Sequence, residues 1–399
     1  MDGIKWSRAE AHLPELSSDI VFFHILPRLP AKSVLRFRSV SKHWRSFLTT
    51  SVFAQMHLPH VTDDDLKLIV LSRTPYPLPF TFRTIDCERP KDGLTANRPL
   101  PFNVGPVRSI VILTSFHGLV CVGIVSERKN YPRRTGYYAD LVLWNPLTAD
   151  YKMLSKPSSD YEEECYATAI NRFRLYYSSG EADYKLIRVT YHPNVYIYSL
   201  KSDSWRKIET RKEDFHRIPY LFTDNRRWQP SVMLNDNIYF LERIPRRPLC
   251  CDYKISIMKY DTKTENLKKR AAPSFGNRRT SCLSFTVLKG CIHLWVSTET
   301  PSRMNCANEL WTMDGDGDWT KVYSNSVPNL FFLRPDHRPL HLMENGDFLM
   351  HALERCVYQL DLKTLTEDRF LIYTSSEKME FNEGAKYVET FVSPNQFIE

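Results

Sequence analysis

One pattern recurs six times along this chain: a strand rich in β-branched and aromatic residues, a short polar turn, then another strand. It occurs at Thr84-Ile85-Asp86, Leu143-Trp144-Asn145-Pro146-Leu147-Thr148, Tyr198-Ser199-Leu200-Lys201-Ser202-Asp203, Lys259-Tyr260-Asp261-Thr262-Lys263-Thr264, Thr312-Met313-Asp314-Gly315 and Gln359-Leu360-Asp361-Leu362-Lys363-Thr364. With Asp86, Asn145, Lys201, Asp261, Asp314 and Asp361 as markers, the spacings are 59, 56, 60, 53 and 47 residues. A period near fifty holds about four strands, and a lone four-stranded unit cannot cover both of its own faces. Stacking such units around a ring covers them all. The 21 Tyr, 22 Phe and 8 Trp supply the broad side chains that sheet-to-sheet contacts need.

The spacing therefore predicts an all-β, kelch-like β-propeller over residues 62–399, expected to have six blades. Runs such as Leu66–Leu71, Gly118–Val122 and Val195–Tyr198, bounded by Gly, Pro, Asn and Asp, fit its strands. The last run, Tyr387–Val392, is left over and is expected to pair with the first blade, so that no sheet edge stays open. Trp144, Trp205, Trp311 and Trp319 recur near the turns and are expected to pack between sheets.

In a four-stranded meander the first and third turns share one end, while the second turn and the link to the next blade share the other. Asn145-Pro146, Asp261-Thr262, Asn235-Asp236, Lys289-Gly290 and Asn345-Gly346 place tight turns in the first class. Long insertions fall mostly in the second, at 126–139, 156–170, 210–230, 245–253 and 299–308. Long loops gathered on one face of a rigid scaffold are where recognition sits. Arg133, Arg134, Arg226, Arg227, Arg246 and Arg247 lie in these insertions and mark a candidate surface for an acidic or phosphorylated target.

The first sixty residues follow a different rule. Ser17 or Ser18 can cap a helix that Asp19 favours through the helix dipole, and Pro30 ends it near Leu29. Ser41 is a second cap, followed by the apolar stripe Trp44, Phe47 and Leu48. Three short helices of about thirty residues bury little surface, so this unit is expected to be a docking element covered by a partner. From Ile20 to Thr62 there are six basic residues, Arg28, Lys32, Arg36, Arg38, Lys42 and Arg45, and no acidic one.

Ile25-Leu26, Arg28-Leu29-Pro30-Ala31-Lys32-Ser33, Arg36-Phe37-Arg38-Ser39-Val40-Ser41-Lys42 and Trp44-Arg45 together resemble the F-box in its plant form. The resemblance covers residues 13–58, after an N-terminal tail of residues 1–12. It implies a Skp-type adaptor as partner and, through it, a cullin and ubiquitin transfer. It also places Ile25, Leu26, Leu29, Pro30, Leu35, Val40 and Trp44 as adaptor contacts or their immediate support. Leu16-Ser17 stands where the family has Leu-Pro, and one residue more than usual separates Asp19 from Ile25. On an unbroken α-helix that insertion turns everything after it by about 100°.

Gly118-Leu119-Val120-Cys121, Leu143-Trp144-Asn145-Pro146, Asp183–Arg188, Val195–Arg206 and Leu310–Met313 are similar to the F-box-associated domain of plant F-box proteins. That resemblance implies a domain that recruits a target behind the F-box. The family's Asn-Gly turn is replaced here by Asn235-Asp236.

The same residues set other functions aside. A net charge of +8 raises nucleic acid as a partner, but the basic residues of the leading helices belong to the F-box pattern, whose adaptor is acidic. No signal peptide or membrane-length apolar run is present, which points to the cytoplasm or nucleus. Nine cysteines without a Cys-x-x-Cys read as reduced core residues. His57 with His60 and His337 with His341 lack a third ligand nearby, and Asp314–Asp318 reads as a hairpin turn in preference to a calcium loop. No cofactor and no bond chemistry are expected. The competing readings are a propeller enzyme or sugar-binding lectin with helices packed on the ring, and a degenerate F-box that no longer engages the adaptor.

Overall fold

In a computed structural model the chain forms a small helical unit seated on a six-bladed β-propeller. The structure describes residues 16–62, 65–73, 80–93, 95–96, 98–103, 109–127, 137–155, 173–189, 195–209, 231–245, 253–275, 279–299, 305–315, 317–328, 338–352, 356–361, 367–371 and 385–396.

The helical unit begins where Ser17 Oγ accepts the Ile20 N–H at 3.4 Å. The expected helix to Leu29 does not run through. Val21 N–H still donates to Ser17 O in α-helical fashion, but Leu26 N–H donates to Val21 O, five residues back. Ile20–Ile25 is thus a π-helical turn, followed by a 3-10 turn at Leu26–Arg28. A turn closed over five residues instead of four has room for one residue more than an α-helical turn. Pro30 then opens α1 (Ala31–Phe37). Ser41 Oγ caps α2 (Lys42–Leu48) through the Trp44 N–H at 3.1 Å, and Thr50 Oγ1 caps α3 (Ser51–His57) through Phe53 N–H at 3.1 Å. The unit therefore has three α-helices after an irregular first turn. At its centre Phe22 meets His43, Trp44 and Phe47 at 5.2, 5.2 and 4.9 Å, the two phenylalanines edge to face.

Each blade is a four-stranded antiparallel meander. Blade 2 consists of Ser109–Phe116, Leu119–Glu127, Tyr137–Trp144 and Tyr151–Met153, and blade 3 of Phe173–Ser178, Asp183–Val189, Val195–Ser199 and Ser204–Ile208. Blade 4 spans Val232–Arg270, blade 5 Arg279–Pro328 and blade 6 Arg338–Leu371. Blade 1 takes Lys67–Arg73, Phe80–Asp86 and Arg98–Pro99 from the start of the propeller and its innermost strand, Ala385–Tyr387, from the end of the chain. All six marker residues lie at the end of a third strand or in the turn after it. The first strands touch around the axis between blades 1 and 2, 2 and 3, 4 and 5, and 5 and 6.

The closing strand is shorter than Tyr387–Val392 and lies earlier. Ala385–Tyr387 pairs with Lys67–Ile69; beyond it the chain leaves the sheet. Trp144, Trp205, Trp311 and Trp319 do pack between blades. Asn235 and Asp236 take φ of +47° and +58°, the backbone of a type I′ hairpin that Asn-Gly would also adopt. Asp314 Oδ1 accepts from Gly317 and Asp318 N–H, making the expected hairpin turn. Among the described cysteines Cys87 and Cys121 are buried free thiols, and burial pushes the Cys87 thiol up to about 12. Cys291 is exposed, contrary to the core role expected of it.

At the first turn of blade 2, His117 and Gly118 both have positive φ, +48° and +79°. The His117 ring stacks on Phe116 and its Nδ1 lies 3.2 Å from Tyr184 Oη. Burial pushes this imidazole down to about 4. Above about pH 6.5 both folded and unfolded chains hold it neutral. Below that the unfolded chain takes up the proton first, so stability falls as pH drops from about 6.5 towards 4. This histidine alone is expected to remove about 2 kcal/mol between pH 7 and pH 5. Urea unfolding at the two pH values checks this: His117→Asn, which tolerates the positive φ, should lose most of that dependence, and an unchanged dependence contradicts it.

Candidate functional site

The helical unit has two unlike faces. One packs on the propeller through Leu147, Leu58 and Phe391. The other carries large apolar side chains in water: Ile20, Phe23, Ile25 and Val40 are 44%, 46%, 39% and 59% exposed. Arg28, Lys32, Arg36, Lys42 and Arg45 of the same unit are exposed too. Scattered single apolar residues are ordinary, whereas several on one small unit that also exposes charge of one sign suit an acidic partner with apolar contacts of its own.

Of the seven residues singled out in the sequence, Ile25, Pro30 and Val40 lie at the surface, and Leu29, Leu35 and Trp44 are half-buried. Leu26 is in the core at 1% exposure, where it supports the surface from beneath. Trp44 lies between Phe22 and Phe37, ring centres at 5.2 and 5.5 Å. Leu29 is fixed through its backbone, its carbonyl lying 3.1 Å from His57 Nε2. His57 is thus a packing residue, 3% exposed, and burial lowers its pKa. Phe23 and the outward face of Ile20 are additions that the sequence did not single out, because the π turn decides which side of the first segment points out.

Arg38 departs from the basic face. Its Nη2 donates to Leu48 O at 3.0 Å, and its guanidinium lies 5.0 Å over the Phe391 ring. Burial lowers its pKa, partly offset by Asp150 of blade 2. It belongs to the contact with the propeller, leaving five of the six cations outside.

The propeller residues met by the helices border first or third turns, or belong to the segment after the closing strand: Leu147, Tyr177, Tyr184, Phe391 and Val392. The helices therefore sit at the tight-turn end of the ring. Arg133, Arg134, Arg226, Arg227, Arg246 and Arg247 lie outside the described residues. The strand ends flanking their segments, Glu127 and Tyr137, Ile208 and Val232, Pro245 and Tyr253, are at the opposite end. Among the described residues no group of three or more His, Cys, Asp or Glu is placed to hold a metal ion. No described helix is long and apolar enough to cross a membrane.

Comparison with known proteins agrees with this division. Residues 13–55 match the F-box domain, and residues 133–391 match the F-box associated beta propeller domain. An F-box/kelch-repeat protein of Arabidopsis thaliana is 25% identical over 93% of this chain and 94% of its own length. The F-box protein CPR1 of the same plant is 23% identical over 78% of this chain and 74% of that one. An F-box only protein of Arabidopsis thaliana is 25% identical over 48% of this chain, which spans 47% of that relative.

Proposed function

Because the chain belongs to the F-box proteins that carry an F-box associated β-propeller, we propose that it is the substrate-recognition subunit of a Skp–cullin–F-box ubiquitin ligase. The observation that carries this reading is the exposure of Ile20, Phe23, Ile25 and Val40 on a helical unit whose exposed Arg28, Lys32, Arg36, Lys42 and Arg45 give it charge of one sign. An acidic Skp-type adaptor would cover it and link the chain to a cullin. The opposite end of the ring would hold the target, through the arginines of the long insertions. The chain performs no bond chemistry in this account. It raises the local concentration of a target lysine beside the charged ubiquitin-conjugating enzyme.

Capture of adaptor and cullin by the full chain tests the proposal. Ile25→Asp with Val40→Asp places two carboxylates at exposed positions that the adaptor must desolvate, and should weaken adaptor binding at least a hundredfold, which is about 3 kcal/mol. Reversing Arg226, Arg227, Arg246 and Arg247 together should leave adaptor capture intact and abolish target capture. Undiminished adaptor binding by the double aspartate variant refutes the docking face, and undiminished target capture refutes the arginine face.

A further inference from the structure

The chain after the closing strand returns to the F-box and supplies part of its core. Phe391 is 5% exposed and lies in one apolar cluster with Phe22, Val34, Leu48 and Phe53. Its ring centre is 5.4 Å from Phe53 and 5.0 Å from His57, with the Arg38 guanidinium 5.0 Å over it. Two of these neighbours tie down backbone elsewhere: Arg38 at the end of α1 holds the Leu48 carbonyl at the end of α2, and His57 at the end of α3 holds the Leu29 carbonyl before α1. One side chain from the far end of the chain thus braces all three helices.

Its own position is fixed from behind. Asn145, fully buried, donates from Nδ2 to Thr390 O at 2.9 Å and to Val392 O at 2.7 Å, on either side of Phe391. Thr390 Oγ1 donates to His117 O at 2.7 Å. Ala385–Tyr387, just before, is paired with blade 1, while Asn145 and His117 belong to blade 2. The segment that carries Phe391 thus runs from the strand that closes blade 1 to the turns of blade 2 that hold it. The rest of the seam is not continuous: a cavity of about 320 Å³ lies beside it, bordered by Ser51, Gln55 and Leu58 of the F-box and by Tyr177, Tyr184 and Gln396 of the propeller. A forty-residue helical unit has little core of its own to compensate.

We infer that Phe391 is a positioning residue that orders the F-box, so that the adaptor surface exists only in chains whose propeller ring has closed. The inference rests on the adaptor reading above for its biological meaning and on packing alone for its structural content. Closure of the ring would then license assembly into the ligase, and an incompletely folded receptor would not be joined to the machinery.

Hydrogen exchange and adaptor affinity of the full chain, wild type against Phe391→Ala and Phe391→Leu, test it. In Phe391→Ala the amides of α2 and α3 should lose protection at least tenfold while blades 4 and 5 keep theirs, and adaptor affinity should fall at least tenfold. Phe391→Leu should restore most of both. Unchanged protection of α2 and α3 overturns the inference, as does an equal loss throughout the chain, which would make Phe391 an ordinary stability residue. A wild-type chain that binds no adaptor refutes the ligase reading instead, and the exchange result still decides whether Phe391 orders the F-box.

Discussion

Trp144→Ala is expected to cost about 4 kcal/mol of stability, enough to leave much of the protein unfolded at growth temperature. Trp144 is fully buried between blades 1 and 2, its ring 4.6 Å from Phe82 and 6.0 Å from Phe102. Both blades would border the void, and neither can shift inward without breaking its ladder. The indole Nε1 has no hydrogen-bond partner among the described residues. Trp144→Phe keeps most of the apolar contact and removes that orphaned donor, so it should cost well under half as much. Equilibrium denaturation of the two variants checks the order. Equal losses would mean that the indole N–H is satisfied and that Trp144 is held by it.

The second large effect is expected at Asn145. Its Nδ2 donates to two carbonyls of the closing segment and its Oδ1 accepts the Leu147 N–H at 2.8 Å, so every polar atom of a fully buried amide is used. Asn145→Ala strands two buried carbonyls and should cost about 2–4 kcal/mol. Asn145→Asp keeps the shape but turns an acceptor towards those same carbonyls, and buries a charge unless it takes up a proton. It should be at least as destabilising at pH 7, and should recover part of the loss as pH falls and the carboxyl regains a donor. Thermal melts of both variants from pH 5 to 7 give the answer; an aspartate variant as stable as wild type at pH 7 contradicts this role of Asn145.

Much of the propeller was legible because its turns are marked by chemistry. Asp86, Asn145, Lys201, Asp261, Asp314 and Asp361 recur around the third turn of every blade, and there Asp86, Asn145, Asp261 and Asp314 accept turn N–H groups; Asp261 Oδ1 does so for Lys263 and Thr264. The helix caps at Ser41 and Thr50 obey the same local rule, and Ser41 was readable for that reason. What escaped was decided at long range. Tyr387–Val392 alternates like a strand, yet after Tyr387 its carbonyls go to Asn145 of another blade. Arg38 reads as one of six outward cations until Phe391, remote in sequence, gives it an aromatic face to lie on. The π turn at Ile20–Ile25 has no compositional mark, and with it the exposure of Ile20 and Phe23 was hidden.

The proposed receptor has its two tasks at opposite ends of one ring, and a structure of the full chain bound to a Skp-type adaptor tests that most directly. The adaptor should cover Ile25 and Val40 at the tight-turn end, with Phe391 still seated among Arg38, Phe53 and His57 and the long-insertion end uncovered. An adaptor seated on the long-insertion end, or helices lifted away from Phe391 when it binds, would contradict the account.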